Sequence, residues 1–96
     1  MARFKIERKQ AIAKDLRRID RADQKKIFSA ILKYLEHIPD EPHGTRIKKM
    51  EHIEQPQYRL RVGDYRVFYD VEGKRVVVLG IVHKKKAEKW LKSNGV

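Results

Sequence analysis

The sequence predicts a single α+β domain, in which an N-terminal helical hairpin packs on an antiparallel β-sheet of about four strands and a short C-terminal helix follows. Apolar residues recur at helical spacing over residues 9–38, and the apolar period becomes two from Tyr58 onward. Three prolines and a glycine separate these two patterns. A chain of 96 residues has room for one domain and not for two, so we expect the domain to span 1–96.

The N-terminal third is expected to hold a short strand followed by two helices. Alternation over residues 3–7 predicts the strand. The apolar spacing then becomes helical, and Asp20 is a candidate N-cap between the two helices. Pro39 ends the second helix, because proline lacks a backbone N–H and clashes with the preceding turn. The apolar positions that define the two helices are Ile12, Leu16, Ile19, Ile27, Phe28, Ile31, Leu32, Leu35 and Ile38.

The rest of the chain is expected to be a connection, three strands and a helix. Residues 39–57 hold all three prolines and predict a connection, with one short strand near 46–50. Alternation then predicts antiparallel strands over 58–62, 65–71 and 74–83. The last helix is expected over residues 84–93, with Asn94-Gly95 as its end.

Two-residue turns fix the register of these strands. We expect the turns at Gly63-Asp64 and Glu72-Gly73, where glycine supplies the positive φ that such turns require. The cross-strand neighbours that follow are Arg61 with Arg66 and Asp70 with Arg75.

Alternation along these strands separates two faces of the sheet. The face that the helices cover is expected to carry Tyr58, Leu60, Val62, Tyr65, Val67, Tyr69, Val76, Val78 and Val82. The opposite face is expected to carry Arg59, Arg61, Arg66, Phe68, Asp70, Arg75 and, at its far end, His83. The first face is therefore apolar and the second is largely cationic.

The arginines on the second face are an unusual feature for a purely structural sheet. Like charges at directly opposed positions such as Arg61 and Arg66 destabilise a sheet. With 24 Lys and Arg against 13 Asp and Glu, the chain carries a net charge of +11, which attracts polyanions. Phe68 and Trp90 are aromatic neighbours that can stack a nucleic-acid base beside the guanidinium groups. The alternative is a solvated face on a basic protein.

A second cationic group follows the last strand. Lys84, Lys85 and Lys86 lie where the last helix begins, and cations at a helix N-terminus oppose the helix dipole. This placement indicates a role other than helix stability, although a run that keeps the protein soluble is the alternative. His83 precedes the lysines and has a side chain that exchanges protons near neutral pH.

Neither a metal site nor a cofactor is expected. The chain has no cysteine, which removes disulfides, thiolate ligands and thiol nucleophiles and fits a reducing compartment. The remaining histidines, His37, His43 and His52, show no ligand spacing. The longest apolar run, Val76 to Val82, is far too short to span a bilayer as a helix. We therefore expect a cytoplasmic protein without a membrane partner.

The stretch from Tyr58 to Asp70, YRLRVGDYRVFYD, resembles the RelE/ParE superfamily of toxins from type II toxin–antitoxin systems. The valine-rich strand, the basic segment 83–86 and the aromatic residue in the last helix match as well. With the helical hairpin included, the resemblance covers nearly the whole chain. It is more specific for the superfamily than for a branch within it.

The resemblance implies a RelE-like fold and, in the favoured RelE-like branch, a metal-independent endoribonuclease. Such toxins enter the ribosomal A site and cleave mRNA, with the ribose 2′-hydroxyl attacking the adjacent phosphate while basic side chains stabilise the developing charge. The basic residue after the last strand falls on Lys84 or Lys85, and the aromatic of the terminal helix on Trp90. The residues expected to be catalytic are Arg59, Arg61, Arg66, His83 and Lys85, and those expected to bind RNA are Lys84, Lys86, Phe68 and Trp90.

Two departures from the RelE pattern affect proton transfer. Strand positions that are often lysine are arginine here, and arginine is a poor general base because it stays protonated. Trp90 can stack but has no hydroxyl. We therefore expect His83 or Glu88 to act as the base and Lys85 as the acid.

Two other functions remain open. A ParE-like inhibitor of DNA gyrase uses the same scaffold, and a basic module can bind nucleic acid without catalysis. In either toxin interpretation, a cognate antitoxin is the protein partner. The mRNA and ribosomal RNA are the nucleic-acid partners of the RelE-like interpretation, and operator DNA is bound only through the antitoxin.

Overall fold

The computed structural model describes residues 3–37, 39–41, 44 and 46–96. Ile38 and His43, which were named among the sequence expectations, lie outside the described residues. The elements are β1 (Lys5–Arg8), α1 (Ile12–Arg17), α2 (Arg21–Ala30), β2 (Ile47–Lys49), β3 (Tyr58–Val62), β4 (Tyr65–Glu72), β5 (Arg75–His83) and α3 (Ala87–Asn94). A π-helical turn (Ile31–Leu35) extends α2, and a 3₁₀ turn (Lys84–Lys86) precedes α3. The predicted α+β class and the helical hairpin are confirmed.

The described strands form one five-stranded mixed sheet in the order β1-β5-β4-β3-β2. β1 runs parallel to β5, and the other neighbouring pairs are antiparallel. The expected antiparallel sheet of about four strands is present as β2 to β5, and β1 adds a fifth strand that runs parallel to β5. The sequence reasoning paired strands across short turns, whereas β1 joins β5 from the other end of the chain.

The register of β3 with β4 is as predicted, and that of β4 with β5 is not. Arg61 lies opposite Arg66, as the Gly63-Asp64 turn requires. Glu72 lies opposite Arg75, so the second turn is Gly73-Lys74 and not Glu72-Gly73. Gly73 has a φ of 61° and takes the first turn position. The expected Asp70–Arg75 pair is wrong for this reason, because Val77 lies opposite Asp70.

A β-bulge changes the faces of β5 partway along the strand. Phe68 pairs with Gly80 while the next residue, Tyr69, pairs with Val78. Leu79 is thus the extra residue of the bulge, and the alternation of β5 shifts by one position beyond it. Ile81, which is 2% exposed, faces the helices in place of Val82.

The core lies between the helices and one face of the sheet. Asp20 caps α2 as predicted, since its carboxylate accepts a hydrogen bond from the Asp23 backbone N–H at 2.8 Å. The apolar faces of the two helices then meet the sheet. The core residues are Ile12, Ile19, Ile27, Ile31, Leu35, Ile47, Leu60, Val62, Val67, Tyr69, Val76, Val78 and Ile81. This core leaves the opposite face of the sheet to α3 and to solvent.

α3 is held at its end by main-chain hydrogen bonds to the segment before β3. The Glu54 N–H donates to the Val96 carbonyl, and the Val96 N–H donates to the Gln55 carbonyl at 2.9 Å. The same segment contacts β4, where Asp70 is only 5% exposed and its carboxylate accepts hydrogen bonds from the Gln55 side chain and the Gln57 backbone N–H. These contacts fix the position of α3 relative to the sheet. In the described part of the chain, no helix is long and apolar enough to cross a membrane.

Candidate functional site

Three arginines lie together on the sheet face that points away from α1 and α2. We call Arg59, Arg61 and Arg66 the arginine face. Arg59 pairs with Phe68, and Arg61 pairs with Arg66 on the adjacent strand. The pairing continues to the β5 residue Val82, which lies opposite Arg66. The predicted clustering of the three guanidinium groups therefore follows directly from the register of β3 with β4.

β2 adds a fourth cation that the sequence reasoning missed. Lys48 pairs with Arg59, so its side chain projects from the same side of the sheet. The sequence signal for Lys48 is the short strand predicted near 46–50. An antiparallel pairing of that strand with β3 would have identified Lys48.

The cations of this face have no carboxylate partner in the described part of the chain. The ion pairs found there, all within 4.0 Å, join Arg75 to Glu7 and Glu72, Lys84 to Asp64, and Lys92 to Glu88. Arg66 instead donates from Nη1 to the backbone carbonyls of Gly63 and Tyr65, at 2.9 and 3.0 Å. The Arg66 guanidinium group is hydrogen bonded, but no carboxylate of the described residues forms an ion pair with it.

Burial and mutual repulsion destabilise the charged forms of these arginines. Burial lowers the pKa of Arg59, and the charges of Arg66 and Arg61 lower it further. Burial and the charge of Arg61 likewise lower the pKa of Arg66, with Asp64 partly opposing the shift. The Nε atom of Arg59 is buried and has no hydrogen-bond partner. An unpaired buried donor is costly, and an anion bound at the guanidinium groups would offset the repulsion between them.

Trp90 of α3 covers one edge of this face. Its indole stacks on the Phe68 ring, with the centroids 4.7 Å apart and the planes within 5°. The indole also rests on Gly80, where an added Cβ atom would overlap it. Phe68 is 1% exposed, so the expectation that Phe68 offers its ring to a base is wrong. Trp90 remains partly exposed and borders the arginine face.

His83 does not lie on the arginine face, which corrects the sequence prediction. The bulge at Leu79 shifts His83 to the helix side, where it pairs with Tyr65. The two rings meet edge to face with centroids 5.5 Å apart. His83 Nδ1 accepts a hydrogen bond from the Lys85 backbone N–H at 3.1 Å and caps the 3₁₀ turn. In that arrangement the Nδ1 lone pair is already used.

The lysines after β5 are divided between two environments. Lys84 forms an ion pair with Asp64 at 3.4 Å, and its backbone N–H donates to the Asp64 carbonyl. Lys85 and Lys86 instead line a pocket that also includes His83. Glu88, the other expected base, is exposed, and its Oε1 atom lies 4.0 Å from Lys92 Nζ on the same helix. His83 and Lys85 therefore line the same pocket, and His83 lies on the opposite side of the sheet from the arginine face.

The described residues hold no group of three or more His, Asp or Glu side chains that could bind a metal ion. The chemistry that this arrangement offers is the binding of anions by fixed guanidinium groups. Arginine presents several N–H donors in a planar fork that matches phosphate oxygens, so the arginine face suits phosphate groups.

Comparisons with known proteins identify a family and two similar solved structures. The family described as "ParE toxin of type II toxin-antitoxin system, parDE" matches residues 6–88. No curated relative matches the chain in sequence. Among solved structures, the RelB-RelE antitoxin-toxin complex from Methanococcus jannaschii has a similar fold, with 24% identity, a TM-score of 0.67, and coverage of 88% of this chain and 96% of that one.

The archaeal RelE-RelB complex from Pyrococcus horikoshii OT3 is similar as well, with 25% identity and a TM-score of 0.68. That match covers 88% of this chain and 97% of the other. The expected RelE-like fold is confirmed by both structures. The chain belongs to the ParE toxin family of type II toxin–antitoxin systems, within the RelE/ParE superfamily.

Proposed function

We propose that this protein is a ribosome-dependent endoribonuclease that cleaves mRNA in the A site. The observation that supports this proposal most strongly is the arginine face: three guanidinium groups on adjacent strands, flanked by Lys48, with no carboxylate partner in the described residues. A cluster of this kind lowers the stability of the free protein. Stabilising negative charge that develops on a phosphate gives it a function.

In the proposed reaction the ribose 2′ oxygen bonds to the adjacent phosphorus, and the bond from phosphorus to the 5′ oxygen of the next nucleotide breaks. The products are a 2′,3′-cyclic phosphate and a 5′-hydroxyl. The phosphorane formed on the way carries more negative charge than the starting diester. Arg61 and Arg66 donate hydrogen bonds to its oxygens, and the positive charge of Arg59 on the same face adds to the stabilisation.

The proton transfers are assigned to solvent in this proposal. His83 lies on the other side of the sheet, and arginine stays protonated in proteins. Water therefore takes the 2′-hydroxyl proton and supplies a proton to the departing 5′ oxygen. Trp90, partly exposed at the edge of the arginine face, stacks on a base next to the reacting phosphate.

A cognate antitoxin is the proposed protein partner, since both similar structures are complexes of RelE with RelB. The net charge of +11 favours an antitoxin segment rich in acidic residues, which would also compete with RNA. On the ribosome, the same charge would assist docking on ribosomal RNA. Operator DNA is reached only through the antitoxin.

Primer extension on a message in a cell-free translation reaction tests the nuclease proposal. We expect wild type to cleave the message during translation, and Arg61→Ala/Arg66→Ala to lower the rate by about 100-fold or more. The matched control is Lys14→Ala/Lys25→Ala, which removes the same charge from exposed positions on α1 and α2 and should cleave normally. No cleavage by wild type, or equal loss in both double variants, would contradict the proposal.

Inhibition of DNA gyrase is the second candidate function, because the matching family is that of ParE toxins. A supercoiling assay with purified gyrase separates the two. The nuclease proposal expects supercoiling to be unaffected by the wild-type protein. Inhibition of gyrase without cleavage of mRNA would favour the second candidate.

A further inference from the structure

A pocket of about 380 Å³ opens at the end of β5, on the helix side of the sheet. Its volume is within the range of sites that hold small ligands. The inner wall is largely apolar and includes Ile19, Ile81 and the ring of Tyr65. The surrounding residues with polar side chains are Asp15, Arg18, His83, Lys85 and Lys86. The pocket therefore combines an apolar floor with a cationic rim.

The charges of this pocket are unbalanced toward the positive side. Arg18, Lys85 and Lys86 form no ion pair with any carboxylate in the described part of the chain. Asp15 is the acidic residue of the lining, and its Oδ2 already accepts a hydrogen bond from the Ile81 backbone N–H at 3.1 Å. Three cations are thus left to interact with a ligand.

The aromatic side of the pocket is held rigidly. Tyr65 and His83 meet edge to face, and the hydrogen bond from the Lys85 N–H to His83 Nδ1 fixes the imidazole. The Nδ1 atom of His83 therefore serves the turn as an acceptor. Burial raises the pKa of Tyr65, and Asp23 and Asp20 add to the shift, so the phenol stays uncharged. An aromatic wall beside cations suits a planar base attached to a phosphate.

The pocket and the arginine face approach each other at the end of the sheet where β4 begins and β5 finishes. Val82 lines the pocket and is also the β5 neighbour of Arg66, in the same row as Arg61. Between the two regions, the charge of Asp64 is offset by its ion pair with Lys84. A polyanion that crosses the arginine row therefore reaches the rim of the pocket without meeting an unpaired carboxylate there.

We propose that this pocket is a subsite for one nucleotide of a single-stranded RNA whose reacting phosphate lies on the arginine face. The proposal rests on the endoribonuclease function proposed above. The base lies against Tyr65 and His83, and Arg18, Lys85 and Lys86 contact its flanking phosphates. RNA thus bends around the end of the sheet, and the pocket contributes to substrate binding without taking part in the chemistry.

Fluorescence anisotropy with a labelled 2′-O-methyl RNA hexanucleotide tests the subsite apart from cleavage, because this probe lacks the attacking hydroxyl. We expect Arg18→Ala/Lys86→Ala to weaken binding. The plot of the logarithm of the association constant against the logarithm of the salt concentration should become less steep by about 1.4, which is about 0.7 for each lost phosphate contact. The matched control, Lys14→Ala/Lys25→Ala, removes the same net charge from exposed sites outside the pocket. Equal slopes for the two double variants would overturn the proposal.

Amide chemical shifts locate the bound hexanucleotide and separate the outcomes. Binding in the subsite should shift the amide signals of Ile81 and Lys85 together with those of Arg61 and Arg66. If only the arginine-face amides shift, the subsite is wrong while the nuclease proposal stands. If an acidic peptide shifts Ile81 and Lys85 where RNA does not, the pocket is a protein docking site and the subsite is again overturned. Failure of the nuclease proposal itself appears only in the translation assay.

Discussion

The two faces of the sheet meet at the end where β4 begins and β5 finishes, and both carry cations there. On the arginine face, the guanidinium groups repel one another and stand on a rigid platform of paired strands with Phe68 and Trp90 alongside. On the helix side, the cations surround a pocket whose aromatic wall is tied to a short turn by one hydrogen bond. The first arrangement suits fixed stabilisation of charge, and the second suits binding of a ligand by its flat apolar part.

The difference teaches that charge alone does not identify a reactive surface. Arg66 and Lys86 carry the same formal charge, yet only Arg66 has a direct cross-strand neighbour of like charge. Repulsion that the fold tolerates at such positions costs stability and therefore calls for a functional explanation. The expected effects on the free energy of unfolding decrease from the Phe68–Trp90 stack, through the His83 cap, to the Arg61–Arg66 pair.

Removing the Phe68 ring, which packs beside the arginine face, should have the largest effect on the free energy of unfolding. Phe68→Ala deletes a ring that is 1% exposed and stacked on Trp90, and we expect the free energy of unfolding to fall by about 3–5 kcal/mol. Urea denaturation followed by circular dichroism measures the change. Leu32→Ala is the control, because Leu32 is 52% exposed and should lose much less. Similar losses in both variants would show that the packing of Phe68 does not stabilise the fold.

Displacing Trp90 should have the next largest effect. Gly80→Ala places a methyl group where the indole rests, and we expect a loss of about 1–3 kcal/mol together with a red shift of the tryptophan emission. The chain has a single tryptophan, so the emission reports on this residue alone. Unchanged emission in a folded Gly80→Ala protein would contradict the packing described here.

The pocket side can be tested through the His83 cap. His83→Ala removes the acceptor for the Lys85 N–H and should cost about 1 kcal/mol in urea denaturation. His83→Asn should recover most of that loss, because an asparagine side chain also accepts at an N-cap.

The His83→Asn protein also tests whether His83 acts as a base. Because His83 lies on the helix side, we expect the pH dependence of the cleavage rate at saturating substrate to keep its wild-type shape. Loss of an acidic limb from that profile would instead identify His83 as the general base that the sequence suggested.

The sequence predicts the arginine face well and the His83 side poorly, for a physical reason. A two-residue turn at Gly63-Asp64 leaves one register for β3 and β4, so the opposition of Arg61 and Arg66 follows without further information. No residue type marks the bulge at Leu79. The strand around it is a run of apolar residues, so shifting its register by one residue leaves the pattern equally apolar. Everything beyond the bulge, including His83, was therefore assigned to the wrong face.

Two further features depended on long-range packing. The parallel pairing of β1 with β5 joins the two ends of the chain, and four residues give no signal of direction. The burial of Phe68 depends on where α3 lies, which is decided by the hydrogen bonds between residues 54–55 and Val96. Neither contact can be predicted from local patterns in the sequence.

The smallest effect on stability gives the sharpest test of the arginine face. Arg61→Glu converts the repulsive Arg61–Arg66 pair into an attractive one, and we expect the free energy of unfolding to rise by about 0.2–1 kcal/mol. The same change places a carboxylate where the phosphate is proposed to bind, so cleavage of mRNA in the translation assay should be lost. Arg75→Glu is the contrasting variant, because Arg75 already pairs with Glu7 and Glu72 and its reversal should lower stability. A gain in stability with loss of cleavage in Arg61→Glu alone would mark the arginine face as the place where this fold gives up stability for function, and a loss of stability would show that the arginines are there for structure.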